Sequence, residues 1–352
     1  TNTFRSLLFF HDWAGVRGKH ILDAQLQLWN SYSSTCTANS SNEQVDVYTL
    51  GSAWTYLTTW NTQPSLAIKQ GSAIFAHGRT GCAAAYQNIT ITGAVAKWAD
   101  YTDSTGMLGM VSTSETSTLG YKRFYSAQTG AGGVPSIVVT YNSYPSVPTS
   151  FSPFSGQSWG GLTPILSAVV ADPDGGYVQG KFFLQDTTTG NSWVGPSTGS
   201  YGKTVTSGQR SGFTTPTLTN GHTYRFQVQS SDTVPDVSAA SAWTSFLIDT
   251  TAPSAPTVSS TQYPSGSWNT AGGAGTFTFA ATDSGSGVDH YLYGLDTPTP
   301  GSATATATAT ATLATVPDGW HTLYVRAVDK VGNLSAVTSH AFGAAPAVTS
   351  PA

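Results

Sequence analysis

Ile21-Leu-Asp-Ala-Gln-Leu-Gln-Leu-Trp29 decides what kind of chain this is. Leu22, Ala24, Leu26 and Leu28 alternate with Asp23, Gln25 and Gln27. A period of two sends one apolar face to a core and one polar face to water, which describes a half-buried strand and not a helix. Working outward, the pattern recurs. Residues 7–10, 45–48, 71–76 and 137–141 read as strands of the same body. Further on come 165–171, 177–185 and 222–229, the last with Tyr224, Phe226 and Val228 on one face. A third set covers 276–281, 289–295 and 320–328. Tight turns punctuate the strands, among them Asp172-Pro-Asp-Gly-Gly176 and Asp186-Thr-Thr-Thr-Gly190. Gly93-Ala-Val-Ala-Lys-Trp-Ala99 predicts the one helix, of about two turns. With no alternation of strand and helix there is no parallel sheet, and the fold class is all-β: three tandem β-sandwiches.

Two near-identical segments divide the chain. Pro145-Ser-Val-Pro148-Thr and Pro253-Ser-Ala-Pro256-Thr each follow a strand and precede a new set, and they read as hinges. The expected domains are 1–143, 144–250 and 251–345, with 346–352 as a linker. Ala303 to Thr312 holds five Ala-Thr units, whose period of two suits a short strand or hairpin in part of the stretch.

Composition narrows the partners. Of 352 residues only 9% are charged, and the formal net charge is −4. No basic run exists to steer nucleic acid or anionic lipid. No apolar stretch approaches a membrane span. Low charge with much Thr, Gly and Tyr is the composition of secreted β-proteins near polysaccharide, so the expected location is extracellular, at or near a cell surface. No signal peptide opens the sequence, which reads as a monomeric segment of a longer chain. Cys36 and Cys82, the two cysteines, can pair in an oxidising compartment or stay as buried thiols in a reducing one; the secretory composition favours the disulfide.

Three resemblances follow from motifs. Ser6-Leu-Leu-Phe-Phe10 with the 21–29 strand, then Trp54 and Thr59-Trp60-Asn-Thr-Gln-Pro64, then Val95-Ala-Lys-Trp98, Gly120-Tyr-Lys-Arg-Phe124 and the strand closing at Tyr141 together resemble the DNRLRE family of secreted jelly-roll domains. That resemblance covers residues 4–142. It implies a carbohydrate-binding module of the kind that recognises uronate polymers such as alginate, or an accessory domain of large actinobacterial surface proteins, including those with RHS repeats. This chain departs from the family at Tyr56, where an acidic residue is usual, and in lacking the residues usual upstream of Phe4. Leu218-Thr-Asn-Gly-His-Thr-Tyr224-Arg-Phe-Gln-Val228 is similar to the corner-tyrosine strand of fibronectin type III domains. Asp283-Ser-Gly-Ser-Gly-Val288 and Ala327-Val-Asp-Lys-Val-Gly-Asn333 resemble bacterial immunoglobulin-like repeats. Both imply spacers.

Candidate chemistry is sparse. Gly156-Gln-Ser158-Trp-Gly160 fits G-x-S-x-G, but a nucleophile elbow needs a strand before it and a helix after, and Pro153 and Pro164 flank this one. Glycoside hydrolysis needs paired carboxylates, and most Asp residues stand in turns. The histidines show no metal-ligand spacing, so no catalytic residue and no resident cofactor is expected. Structural calcium is the exception. Asp172 and Asp174 before two glycines could offer oxygens to a hard cation, as could Asp283, Asp289 and Asp329; a plain turn is the competing reading of each.

The aromatics of the first body carry the functional expectation. Sugar rings stack on exposed aromatic faces, and their hydroxyls need polar partners. Trp54 and Trp60 flank a loop, and the sequence leaves them divided between core and sugar platform. Lys122 and Arg123, beside Tyr121 and Phe124, could bond the carboxylates of an acidic polysaccharide, or could simply line a strand's solvated face. The expected activity is non-catalytic binding of polysaccharide or cell-surface glycan by 1–143. The alternatives are a purely structural stalk of an RHS-type or surface protein, or an accessory region of a polysaccharide-degrading enzyme.

Overall fold

A computed structural model of the chain describes residues 3–128, 132–269, 273–300, 304–306 and 308–345. The chain is an all-β array of tandem sandwiches and falls into two compact units, Thr1–Tyr144 and Pro145–Ala352. The proposed linker 346–352 lies outside the described residues.

In the first unit, β1 (Ser6–Phe9), β2 (His20–Ser33), β3 (Gln44–Leu50), β4 (Leu66–Ile74) and β5 (Ala85–Thr90) precede α1 (Thr92–Ala99), and β6 (Met107–Ser112), β7 (Lys122–Phe124) and β8 (Ser136–Asn142) follow it. One sheet runs β1-β6-β3-β4. The other is built on β2, with β5 along one edge and β8 and β7 along the other. Ala24, Leu26, Leu28, Val47, Leu108 and Trp98 are among the residues that fill the space between them. The helix begins one residue before its expected start, and Trp98 anchors it to the core at 2% exposure.

The founding strand holds one surprise. Ala24, Leu26 and Leu28 are fully buried as the alternation requires, yet Leu22 is exposed and Ile21 is buried in its place. Opposite Tyr141 and Thr140 the register skips from Ile21 to Asp23. That bulge takes Leu22 out of the alternation, so the period of two begins only at Asp23. A second skip, between Asn30 and Tyr32 against β7, is filled by the Asn30 side chain. Its amide donates to the carbonyls of Tyr32 (2.8 Å) and Arg123 (3.1 Å), and its oxygen accepts from Ser33 Oγ (2.8 Å) and the His77 amide (3.0 Å).

In the second unit, Ser146–Ser152, Ile165–Ala171 and Arg210–Thr214 form one sheet. It faces a larger sheet whose central strands are Thr244–Ile248, Thr223–Ser231 and Tyr177–Asp186. Tyr224, Phe226 and Val228 all point into this core. The Tyr224 hydroxyl accepts the Thr219 amide at 2.9 Å, the corner bond of fibronectin-like sandwiches. A second core gathers Phe277, Phe279, Leu323, Val325 and Phe342, from strands Gly275–Ala280, Gly319–Asp329 and Thr338–Ala344.

One expectation needs correction. Parallel pairing does occur, at sheet edges only: Gln157–Trp159 beside Thr244–Ile248, and Trp268–Asn269 beside Thr338–Ala344. These short segments return to an edge without a crossover helix, so strand-helix alternation could not announce them. The Pro-rich runs hold buried prolines. Pro148 is buried inside the edge strand Ser146–Ser152, a position where its missing N–H costs nothing. Pro253 and Pro256 are buried too. Between them Ser254 bonds Thr282, its amide donating to the carbonyl at 2.8 Å and its hydroxyl accepting the Thr282 amide at 2.9 Å.

The Ala-Thr stretch makes two strands rather than a hairpin. Thr304–Thr306 pairs with Tyr291–Tyr293 in one sheet, and Thr310–Leu313 pairs with residues 275–278 in the facing sheet.

Candidate ligand-binding face

Strand alternation separates Lys122 from Arg123. Arg123 points outward. Its guanidinium lies 5.3 Å from the Tyr32 ring centroid and 5.7 Å from that of Tyr121, and Nε donates to the Tyr121 hydroxyl at 3.0 Å. Lys122 turns in beneath the sheet, its Nζ 4.9 Å from the Phe75 ring centroid and without a hydrogen-bond partner. Burial pushes its ammonium down to about 8, with Glu43 pulling the other way. Glu43 is itself held low, chiefly by the Ser40 hydroxyl, in a reciprocal cap that opens the turn Ser41–Glu43.

Tyr121 and Lys122 both line a cavity of about 370 Å³, together with Phe4, Met110, Glu115 and several Ser and Thr hydroxyls. Phe4 is exposed and meets Tyr121 edge-on at 6.0 Å. Trp60 joins this region through one arginine. Arg5 lies 5.1 Å from the Trp60 centroid and grips both oxygens of Glu115 at 2.8 Å. It also reaches Gln63 at 3.3 Å, whose amide in turn bonds the Trp60 carbonyl at 2.9 Å. The Arg5 bond holds the Glu115 carboxyl below its ordinary range. Trp60 is 52% exposed, whereas Trp54 is half-buried with its indole nitrogen enclosed and unpartnered. Of the expected site residues, Tyr121 and Lys122 line the cavity; Arg123 adjoins it through Tyr121, Trp60 is linked to it only through Arg5 and Glu115, and Trp54 is off its wall. Arg5 and Phe4 were missed by sequence reasoning. They stand ahead of the first strand, and nothing in their spacing ties them to residues 60, 115 or 121.

Cys36 and Cys82 are joined, with Cα atoms 5.6 Å apart. Both glutamates are committed to structure, Glu43 in its cap and Glu115 against Arg5. Ser158 sits mid-strand at a sheet edge with no helix after it. Asp172 and Asp174 form a turn: Asp172 Oδ1 accepts the Asp174 amide at 2.6 Å, and its carbonyl accepts that of Gly175 at 3.1 Å.

One acidic group does converge. Asp283 and Asp329 come together with Asp249, and one oxygen from each lies within 4.8 Å of the other two. Asp289 points elsewhere, paired with His290 at 2.8 Å. A further feature was invisible in the sequence: exposed Trp268 and Trp320 meet edge-on at 5.1 Å on the last sandwich. They are brought together by the strand Thr338–Ala344 that lies between theirs.

No protein-family model matches this chain, and no curated protein matches it. Among solved structures, the fibronectin(III)-like modules of Clostridium thermocellum CbhA are 16% identical, with 58% of this chain and 97% of that one aligned at a TM-score of 0.35. The central fibronectin-III array of RIM-binding protein is 10% identical, with 59% and 71% aligned at 0.20. At such scores neither likeness carries an argument about function.

Proposed function

We propose that the first unit binds an acidic polysaccharide without catalysis and that residues 145–352 act as a spacer in an extracellular protein. The observation that supports this reading is the hydroxyl-lined cavity with exposed Phe4 and Tyr121 on its wall, joined to Arg123 through Tyr121 and to exposed Trp60 through Arg5 and Glu115. Aromatic faces suit the C–H surfaces of sugar rings, hydroxyls suit their polar edges, and a guanidinium suits a uronate carboxylate. The disulfide agrees with an oxidising compartment. Commitment of both glutamates to caps and ion pairs argues against a glycosidase-type pair.

Titration calorimetry of the full chain with alginate and pectate, and with a neutral glucan as control, tests the proposal. Binding of a uronate polymer is expected, reduced at least tenfold in Trp60→Ala and in Arg123→Ala. Trp268→Ala is expected to bind as the parent does. Failure of every glycan to bind the folded chain would overturn the binding role.

A further inference from the structure

Three carboxylates meet where the second sandwich joins the third. Asp249 follows the strand Thr244–Ile248 of one; Asp283 follows Gly275–Ala280 and Asp329 ends Gly319–Asp329 of the other. Asp249 and Asp329 are 1% and 2% exposed. Among the described residues, no Lys, Arg or His forms an ion pair with any of the three. Like charges about 4 Å apart repel by about 4 kcal/mol even at an effective dielectric constant of 20.

Backbone amides hold the carboxylates in place without cancelling their charge. Asp249 takes the amides of Thr251 (3.0 Å) and Ser286 (2.6 Å). Asp283 Oδ2 takes those of Gly285 (3.2 Å) and Gly287 (2.6 Å). Asp329 takes those of Val331 (3.0 Å) and Asn333 (2.8 Å), and the Asn333 side chain at 2.8 Å.

A separate observation points to a missing partner. Ser286, 9% exposed and bonded through its amide to Asp249, has an enclosed hydroxyl with no hydrogen-bond partner. Asp283 Oδ1, inside the same cluster, is likewise enclosed and unpartnered. Buried oxygens are rarely left so. Gly285 makes the approach possible, because a Cβ there would collide with the Asp249 carboxylate.

We propose that Asp249, Asp283 and Asp329, with the Ser286 hydroxyl, bind a calcium ion that clamps the two sandwiches together. The donors are all hard oxygens, three of them anionic, with no nitrogen or sulfur to favour zinc. Calcium–oxygen distances of about 2.3–2.6 Å give a ligand sphere about 5 Å across, matching the oxygen separations. Asn333 adds a short strap, its side chain reaching the carbonyls of Asp249 at 3.2 Å and Thr251 at 3.3 Å. The ion would turn a repulsive junction into a cross-linked one.

Chelator-treated full chain, titrated with calcium alone and followed by calorimetry and by tryptophan-sensitised terbium luminescence, tests this. The Trp159 carbonyl accepts the Asp249 amide at 2.9 Å, which puts a sensitiser beside the site. One terbium per chain is expected, displaced by calcium. At roughly hundredfold excess over Kd, calcium should raise the melting transition of 145–352 by about 5–10 °C. The transition of 1–144 should not move. Asp283→Asn removes the least buried carboxylate. It should abolish both signals yet melt, in chelator, no lower than the parent. A parent chain blind to calcium would overturn the proposal, as would an Asp283→Asn chain that still binds it, or a site that takes magnesium equally well.

Discussion

Lys122 is an ammonium folded against its own interest. With its pKa in the fold at about 8 against 10.5 ordinarily, the unfolded chain binds more protons between those values. Stability of the first unit should therefore rise as pH climbs from 8 towards 10.5, and the penalty should be complete below 8. Lys122→Met keeps the stem over Phe75 and removes the charge. It is expected to melt no lower than the parent at pH 7 and to lose the alkaline rise; an unchanged pH profile in thermal melts would show that Lys122 is not its source. The sequence reading treats Lys122 and Arg123 as a pair on one ligand or on one solvated face, whereas the strand turns Arg123 outward and Lys122 inward over Phe75. Their opposite orientations follow from strand alternation and were legible once 122–124 was taken as a strand. The Arg5 bridge between Trp60 and Glu115 was not legible, because it depends on contacts between distant parts of the chain.

At the scale of elements, the bulges of β2 explain both what reads easily and what does not. Its centre obeys the period of two, and there the core was legible residue by residue. Its ends do not, because each register skip is set by the partner strand, β8 at one end and β7 at the other. Asn30 shows what such a skip requires. Fully buried, it satisfies two carbonyls, an amide and a hydroxyl that the ladder leaves over. Asn30→Ala should destabilise the first unit by roughly 3 kcal/mol in urea melts, since the orphaned groups bear their desolvation alone. Asn30→Asp, which aims oxygens at two carbonyls, should cost more. Near-parent stability of either variant would mean that water replaces the side chain. Since Asn30 fixes the Arg123 carbonyl, both variants should also weaken the glycan binding proposed for that face.

For the whole molecule, composition and period foretold an all-β array but not where its prolines are buried. The proline-rich runs read as hinges of a semi-rigid spacer, because proline breaks ladders. Burial of Pro148, Pro253 and Pro256 shows those residues used as edge and packing elements. Asp249 escaped notice for a related reason. It belongs to one sandwich and its chemistry to the next. The disulfide acts on one unit alone. It closes a loop of 46 residues, for which chain entropy gives about 4 kcal/mol. Reduction of the full chain should lower the melting transition of 1–144 and leave that of 145–352 in place; a shift of both in calorimetry would show that the two units unfold together.

The Ala-Thr stretch has a consequence for insertions and deletions. Its repeat unit is a dipeptide, and a strand's side chains repeat every two residues as well. Adding or dropping one moves a strand along its partner by two residues, which returns alanine to the core side, where Ala311 sits, and threonine to the Thr276–Thr312 side. Gain or loss of one Ala-Thr unit is thus a change this sheet can accept without turning the strand Thr310–Leu313 inside out.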